Sequence, residues 1–288
     1  MTKPGEIAAV VVLYHPDPME VKRNINSYLS FVSKLYIVDN TPAASIASQD
    51  ILTDEKKISY IASGKNEGIA AALNTGASLA AEAGYHWLLT MDQDSFFEAD
   101  QAEKYFSAFR QNFVNNGSVA VVAPSHFIDK VNAATEYVQE MAVITSGSLI
   151  NLAVWKEIGG YDNKLFIDEV DHEYCYRAKT KGYSVFRFPS IHLNHKLGEK
   201  KEAGYSGSIA KRKRTIHSPR RVYFMVRNYL YVRKKYKSAF PAEFKTRDKM
   251  LRTAIKNNVL FSGSFFQNIS SVIKGYRDFK NNKFDSTI

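Results

Sequence analysis

Short, wholly apolar runs alternate with helical patterns over most of the first 210 residues. Residues 8–13 (AAVVVL) form the first run, and Tyr14-His15-Pro16-Asp17-Pro18 closes it with two prolines and an aspartate. A helix pattern at 18–32 follows, then buried-strand runs at 35–38, ending on Asp39-Asn40, and at 58–61. Asn66-Glu67-Gly68 opens an alanine-rich helix that runs to about Ala83, with Gly84 as its stop. Residues 87–91 (WLLTM) read as another buried strand, which emerges at Asp92-Gln93-Asp94. The pattern continues with a helix over 101–112, a strand over 119–123, and an extended stretch over 143–150 broken by Ser146-Gly147-Ser148. A helix over 170–181 stops at Gly182.

Strands that are apolar on both faces predict an α/β fold, Rossmann-like, with a mostly parallel sheet covered by helices on both sides. Such sheets bind ligands at the carboxyl ends of their strands. Asp39, Asn40, Asp92 and Asp94 all fall at such ends. The chain has a hydrophobic content of 45%, ample for a sizeable core. Its single cysteine, Cys175, excludes an internal disulfide framework and a Cys-based zinc site, and fits a reducing cytoplasm. The N-terminus carries no signal-peptide pattern, and no apolar run is long enough to span a membrane.

Charge divides the chain. Residues 211–288 hold 20 Lys/Arg against 4 Asp/Glu, whereas 1–210 hold 19 against 25. We therefore expect a catalytic domain over 1–210 and a basic helical C-terminal region over 211–288 that meets a different partner. The join is a Gly-, Ser-, Lys- and Glu-rich stretch at 198–212, read as a mobile loop.

Asp92 and Asp94 sit at i and i+2 where a strand exits, with Ser95 next. Two carboxylates so placed suit a divalent cation, Mg or Mn, with open positions left for a substrate diphosphate. Asp39 could accept from the N3–H of a pyrimidine base, or simply form an Asx turn or a helix cap. The Gly68 turn and its helix N-terminus suit a phosphate, with Asn66 and Asn74 as polar exceptions on a helix otherwise packed through Ala, Ile and Leu. Ser146 could line a cleft where a sugar hydroxyl approaches, or mark a plain bulge. Asp168, Glu169, Asp171 and Glu173 form the densest acidic cluster; Asp171, in a first helical turn, could serve as general base, while others cap the helix or pair with Arg177. His192 and His195 follow, and one neutral imidazole could complete a metal shell beside Asp94.

Taken in order, Tyr14-His15-Pro16, Ile37-Val38-Asp39-Asn40, Asn66-Glu67-Gly68-Ile69-Ala70, Asp92-Gln93-Asp94, Ser146-Gly147-Ser148 and the run from Phe166 to Glu173 resemble family-2 glycosyltransferases of the GT-A fold. The wording is most similar to bacterial rhamnosyltransferases that use dTDP-L-rhamnose, and it holds over residues 7–200. The resemblance implies an inverting transfer of a sugar to a hydroxyl of a lipid-linked surface-polysaccharide precursor. It assigns Asp171 as the base, Asp39, Asn66, Asn74 and Asp92 to the nucleotide-sugar, and Asp94, His195 and Asp92 to the metal. Ser146, Trp155 and Glu173 are placed on the acceptor side. Val170 stands where many relatives have an acid directly before the base, which keeps Asp168 and Glu169 in play. Other donors that fit the same frame are a UDP-hexose or UDP-galactofuranose. A nucleotidyl-transferring α/β protein is disfavoured because the Tyr14–Asp17 turn lacks a basic phosphate loop.

Residues 218–237 mix Tyr223, Phe224, Tyr229 and Tyr231 with Arg and Lys, which predicts a helix lying on an anionic membrane surface or a helix packed on the body with a solvated basic face. We expect a cytoplasmic protein on the inner face of a bacterial membrane, no nucleic-acid partner, and a possible homo-oligomer.

Overall fold

The computed structural model describes residues 3–42, 56–126, 136–195, 200–203 and 212–284. The loop expected at 198–212 therefore lies largely outside the described residues. The chain divides into two compact units: Met1–Asn163 with Val170–His195, and Lys164–Glu169 with Lys196–Ile288.

The first unit is built on an eight-stranded sheet. In chain order its strands are β1 (Lys3–Leu13), β2 (Lys34–Asp39), β3 (Ile58–Ala62), β4 (Tyr85–Asp92), β6 (Val119–Ser125), β7 (Val138–Gln139), β8 (Ser148–Asn151) and β9 (Ser184–His192). They lie in the order β3-β2-β1-β4-β8-β6-β9-β7. β3, β2, β1 and β4 run parallel, as do β6 and β9, while β8 enters antiparallel between β4 and β6. The short strands β5 (Ser95–Phe96) and β10 (Asn194–His195) form a separate ribbon.

Helices cover both faces. Side chains alternate along β1, so Ile7, Ala9, Val11 and Leu13 face one way. They join the core formed with α1 (Pro18–Asn26) and α3 (Ala99–Asn112), where Trp87, Tyr105, Phe106 and Phe109 are buried. The other face carries Val10, against which α2 (Ile69–Glu82) packs through Gly76; a Cβ there would lie 2.3 Å from Val10 Cγ2. α1 starts where Asp17 accepts from the Met19 and Glu20 N–H groups, with Pro18 in its first turn. It stops at Asn26, short of the expected residue 32, and gives way to a 3-10 turn at Leu29–Phe31.

The two longest elements of this unit that were not foreseen are α4 (Leu152–Ile158) and β9. α4 is capped by Asn151 and ended by Gly159 at φ 95°. β9 mixes aromatic, polar and proline residues, so its sequence lacks the plain apolar run of the central strands. α5 (Val170–Thr180) completes the unit. Cys175 on α5 is buried, and burial pushes its thiol up to about 12, as a structural thiol requires.

The second unit contains the hairpin of β11 (Lys200–Ala203) and β12 (Arg212–Thr215), then α6 (Pro219–Tyr236), α7 (Pro241–Phe261) and α8 (Phe265–Lys280). Here, of the two expectations for residues 218–237, the membrane-surface helix needs correction. Val222, Tyr223, Phe224, Val226, Tyr229, Val232 and Tyr236 are all buried, so α6 is the unit's core helix and not a surface helix. Arg227 is fully buried among the rings of Tyr223, Phe224 and Phe284, at 5.0–5.2 Å, and donates to Asn228 Oδ1 and the Tyr223 hydroxyl. α8 closes on α6 at Gly275, where a Cβ would meet the Tyr223 carbonyl at 2.8 Å. Among the described residues no helix is long and apolar enough to cross a membrane.

Candidate active site

β4 delivers Asp92 at its carboxyl end, and the chain then turns through Gln93 and Asp94 into β5. Gln93 holds the turn in place. Its side chain accepts from Tyr14 N–H at 2.7 Å and donates to the Tyr14 carbonyl at 3.2 Å, while its own carbonyl accepts from Asn24 at 2.9 Å. The middle residue of the acidic tripeptide thus ties the end of β4 to the end of β1 and to α1.

β5 pairs antiparallel with β10, which sets His195 opposite Ser95. His195 Nδ1 lies 2.7 Å from Ser95 Oγ and 3.2 Å from Asp94 Oδ1. Ligand atoms of Asp92, Asp94 and His195 all lie within 4.8 Å of one another, in partly buried surroundings. Burial would lower the His195 pKa, but the Asp94 hydrogen bond and the charges of Asp92 and Asp94 reverse that and raise it. Two carboxylates and an imidazole this close form a donor set that fits a divalent cation.

A chain of hydroxyls supports the set. Ser146, fully buried at the turn before β8, accepts from Asp92 N–H at 3.1 Å and donates to Ser95 Oγ at 2.8 Å. Gly147 makes that turn possible at φ 80°, where a Cβ would lie 2.8 Å from Pro124 and from Leu193. Ser146 was expected beside an acceptor hydroxyl; its hydroxyl is instead committed to the Asp92–His195 cluster.

His126, just past β6, was not foreseen. Its Nε2–H donates to the Ser146 carbonyl at 3.0 Å, and its ring meets His195 edge-on at 5.9 Å. Burial first, then the neighbouring His195, lowers its pKa to about 4, with Asp171 acting in the opposite sense. His126 therefore senses both the metal-type cluster and Asp171, and it is neutral near pH 7. Its position at the carboxyl end of a strand was the available signal.

Asp171 lies in the first turn of α5, where its Oδ1 accepts from His172 N–H at 2.8 Å and lies 2.9 Å from His172 Nδ1. The competing acids are paired elsewhere: Asp168 with Arg221 at 3.1 Å and Glu169 with Arg247 at 2.6 Å, all within the second unit. Asp168 and Glu169 hold left-handed backbone at φ 62° and 67°. Glu173 faces inward. It is fully buried and pairs with Arg177 at 2.7 Å, and Arg177 also donates to the Ile158 and Gly160 carbonyls. This is the Arg177 pairing the sequence allowed for, in place of an acceptor contact.

Asn74 and Trp155 likewise turn inward. Asn74 donates to the Tyr161 carbonyl and Asn163 Oδ1, and accepts from Trp155 Nε1 and Tyr161 N–H. Both amide protons and both carbonyl lone pairs are used within the unit. Asp39 is fully buried; its oxygens accept from Thr41 N–H at 2.8 Å and the Tyr60 hydroxyl at 2.5 Å, the Asx-turn alternative. Asn66 accepts from Gly68 N–H at 3.0 Å and is partly exposed at the mouth of α2. Gly68 starts that helix at φ 87°, and its carbonyl is held by Asn40 at 3.0 Å.

The model for glycosyl transferase family 2 matches residues 10–163. The dTDP-rhamnosyl transferase RfbF of Shigella flexneri is 29% identical over 257 residues, covering 81% of each chain. Among solved structures, the mannosyltransferase PcManGT of Pyrobaculum calidifontis, in complex with GDP-Man and Mn2+, superposes with a TM-score of 0.58 at 11% identity. It covers 98% of this chain and 76% of its own. GalNAc-T7 with UDP, GalNAc and Mn2+ gives 0.60 at 13% identity, over 96% of this chain and 56% of that one. At such identities the structural likeness is one of fold: both are glycosyltransferases built on the same mixed α/β sheet.

Proposed function

Because the chain belongs to glycosyl transferase family 2, and is therefore a glycosyltransferase, we propose that it moves L-rhamnose from dTDP-L-rhamnose, with inversion, onto a hydroxyl of a lipid-linked surface-polysaccharide precursor. The observation that carries the reading is the convergence of Asp92, Asp94 and His195 at one strand end, within 4.8 Å. The rhamnosyl donor is taken from the likeness to RfbF.

In this reading the nucleotide lies over the carboxyl ends of the parallel strands, beside Asp39 and Asn66, with its diphosphate toward Asp92 and Asp94. Those two carboxylates and the His195 imidazole would hold a divalent cation, Mg or Mn. Such an ion, when bound, neutralises charge on the diphosphate as the sugar–phosphate bond breaks. Ser146 and Ser95 keep the ligands in place from behind, the support that ligating groups require. Asp171 takes the proton from the acceptor hydroxyl. The hydroxyl oxygen then attacks the anomeric carbon from the face opposite the departing diphosphate, which inverts that centre. Asn74, Trp155 and Glu173 act by holding the scaffold. The lipid-linked acceptor would keep the enzyme at the cytoplasmic face of the membrane.

The test is a thermal-shift screen of dTDP- and UDP-sugars with Mn. The largest shift is expected with dTDP-L-rhamnose; a larger shift with a UDP-hexose or UDP-galactofuranose would replace the donor assignment.

A further inference from the structure

α8 is apolar on the side it buries and also on the side it exposes. Asn268 and Gly275 mark its buried face. The opposite face presents Phe266, Ile273 and Tyr276, which are 83%, 54% and 51% exposed, beside Arg277 and Lys280. Ile273 lies seven residues after Phe266, and Tyr276 and Arg277 follow it at three and four, which places them on one strip of the helix. Phe265 and Phe266, the first two residues of α8, meet edge-on at 5.3 Å just past the turn that joins it to α7, and Leu260 lies exposed on the other side of that turn.

α7 supplies the charge. Lys245, Lys249, Arg252 and Lys256 are exposed at i, i+4, i+7 and i+11, one stripe that runs toward Leu260 and the aromatic turn. Two nearby acids are directed inward: Asp248 accepts from Arg233 and the Tyr229 hydroxyl, and Asp278 from the Tyr223 hydroxyl. A cationic stripe that leads into exposed aromatic and aliphatic residues, on helices too polar to span, matches the interface of an anionic bilayer. Soluble surfaces rarely leave such a cluster uncovered.

We propose that α7, the 262–264 turn and α8 form a docking surface for an anionic lipid bilayer, with Phe265, Phe266 and Ile273 entering the headgroup boundary and the α7 lysines meeting lipid phosphates. This deepens the membrane-side reading above and rests on it, but moves the contact from α6, which is core, to the last two helices.

The experiment is co-sedimentation of the full chain with phosphatidylcholine vesicles, with and without phosphatidylglycerol. Wild type is expected to pellet with the anionic vesicles and to be released by salt. The triple variant Phe265→Ser/Phe266→Ser/Ile273→Ser and the variant Lys249→Gln/Arg252→Gln/Lys256→Gln should each partition at least roughly tenfold more weakly. Both should keep the wild-type thermal shift with dTDP-L-rhamnose and Mn, because every changed side chain is exposed. Equal partitioning of wild type and variants would sink this surface while leaving membrane association intact. Wild type that fails to bind anionic vesicles would overturn the membrane reading and this proposal together. A concentration-dependent dimer in sedimentation velocity, lost in Phe266→Ser, would reassign the face to a second copy of the chain.

Discussion

Asp94 Oδ1 lies 3.2 Å from His195 Nδ1, an approach produced by two strands of only two residues each. The main sheet delivers the acids, but the β5–β10 ribbon delivers the histidine. If these groups hold a divalent cation, Asp94→Ala and His195→Ala should each weaken Mn binding by at least about 10–100-fold, the loss expected even for a supporting partner. Titration of Mn by calorimetry reads this directly. Wild-type affinity in both variants would remove the cluster from the metal site.

Ser146 acts on the same cluster from behind, through Asp92 N–H and Ser95 Oγ. Ser146→Ala leaves the Asp92 amide without its acceptor and Ser95 without its donor. We expect Mn affinity to fall by about 10–100-fold, with the melting temperature of the metal-free protein little changed. An unchanged Mn affinity with a raised acceptor KM would return Ser146 to the acceptor side.

Asp171 keeps Oδ1 bonded to His172 N–H, a contact that asparagine can reproduce. Asp171→Asn should therefore fold and bind the donor as wild type does. Turnover should drop by about 10²–10⁴, the usual contribution of a general base. Retained turnover would point back to Asp168 or Glu169, both of which the structure pairs with arginines.

The strands with unbroken apolar runs could be read from the chain, because burial on both faces leaves a simple mark. β8 could not be placed, since Ser146-Gly147-Ser148 interrupts its stretch and nothing local says it runs antiparallel between β4 and β6. Within the site, the acidic tripeptide and His195 were legible as residue types. The roles of Asn74 and Glu173 were not, because they depend on partners brought in by folding: Tyr161 and Trp155 for one, the Arg177 contacts with Ile158 and Gly160 for the other. α6 carried a signal that pointed inward. Aromatic and aliphatic residues around most of a helix's circumference mark a buried helix, and α6 is one.

Glu173 is fully buried against Arg177, whose side chain is 17% exposed. Glu173→Gln leaves the guanidinium without its counter-charge, which costs about 3 kcal/mol when a buried pair loses one partner. For a unit of this size the melting temperature should fall by about 6–12 °C, read by differential scanning calorimetry. The acceptor KM of the folded fraction should stay at its wild-type value; a KM effect without loss of stability would restore Glu173 to the acceptor site.

Asn74 separates a scaffold role from a donor-binding role most sharply. Replacing it with alanine strands the Trp155 indole N–H and the Tyr161 amide, both of which now donate to Asn74 Oδ1. Two part-buried donors left unpaired should cost about 2–3 kcal/mol. The same amide occupies the space beside Gly160, where a Cβ would stand 2.9 Å from Asn74 Oδ1 at φ 70°. Asn74→Ala should therefore lower the melting temperature strongly, while the stabilisation added by dTDP-L-rhamnose and Mn keeps its wild-type size. A residue that gripped the nucleotide-sugar would give the reverse, a nearly normal melting temperature and a lost ligand shift.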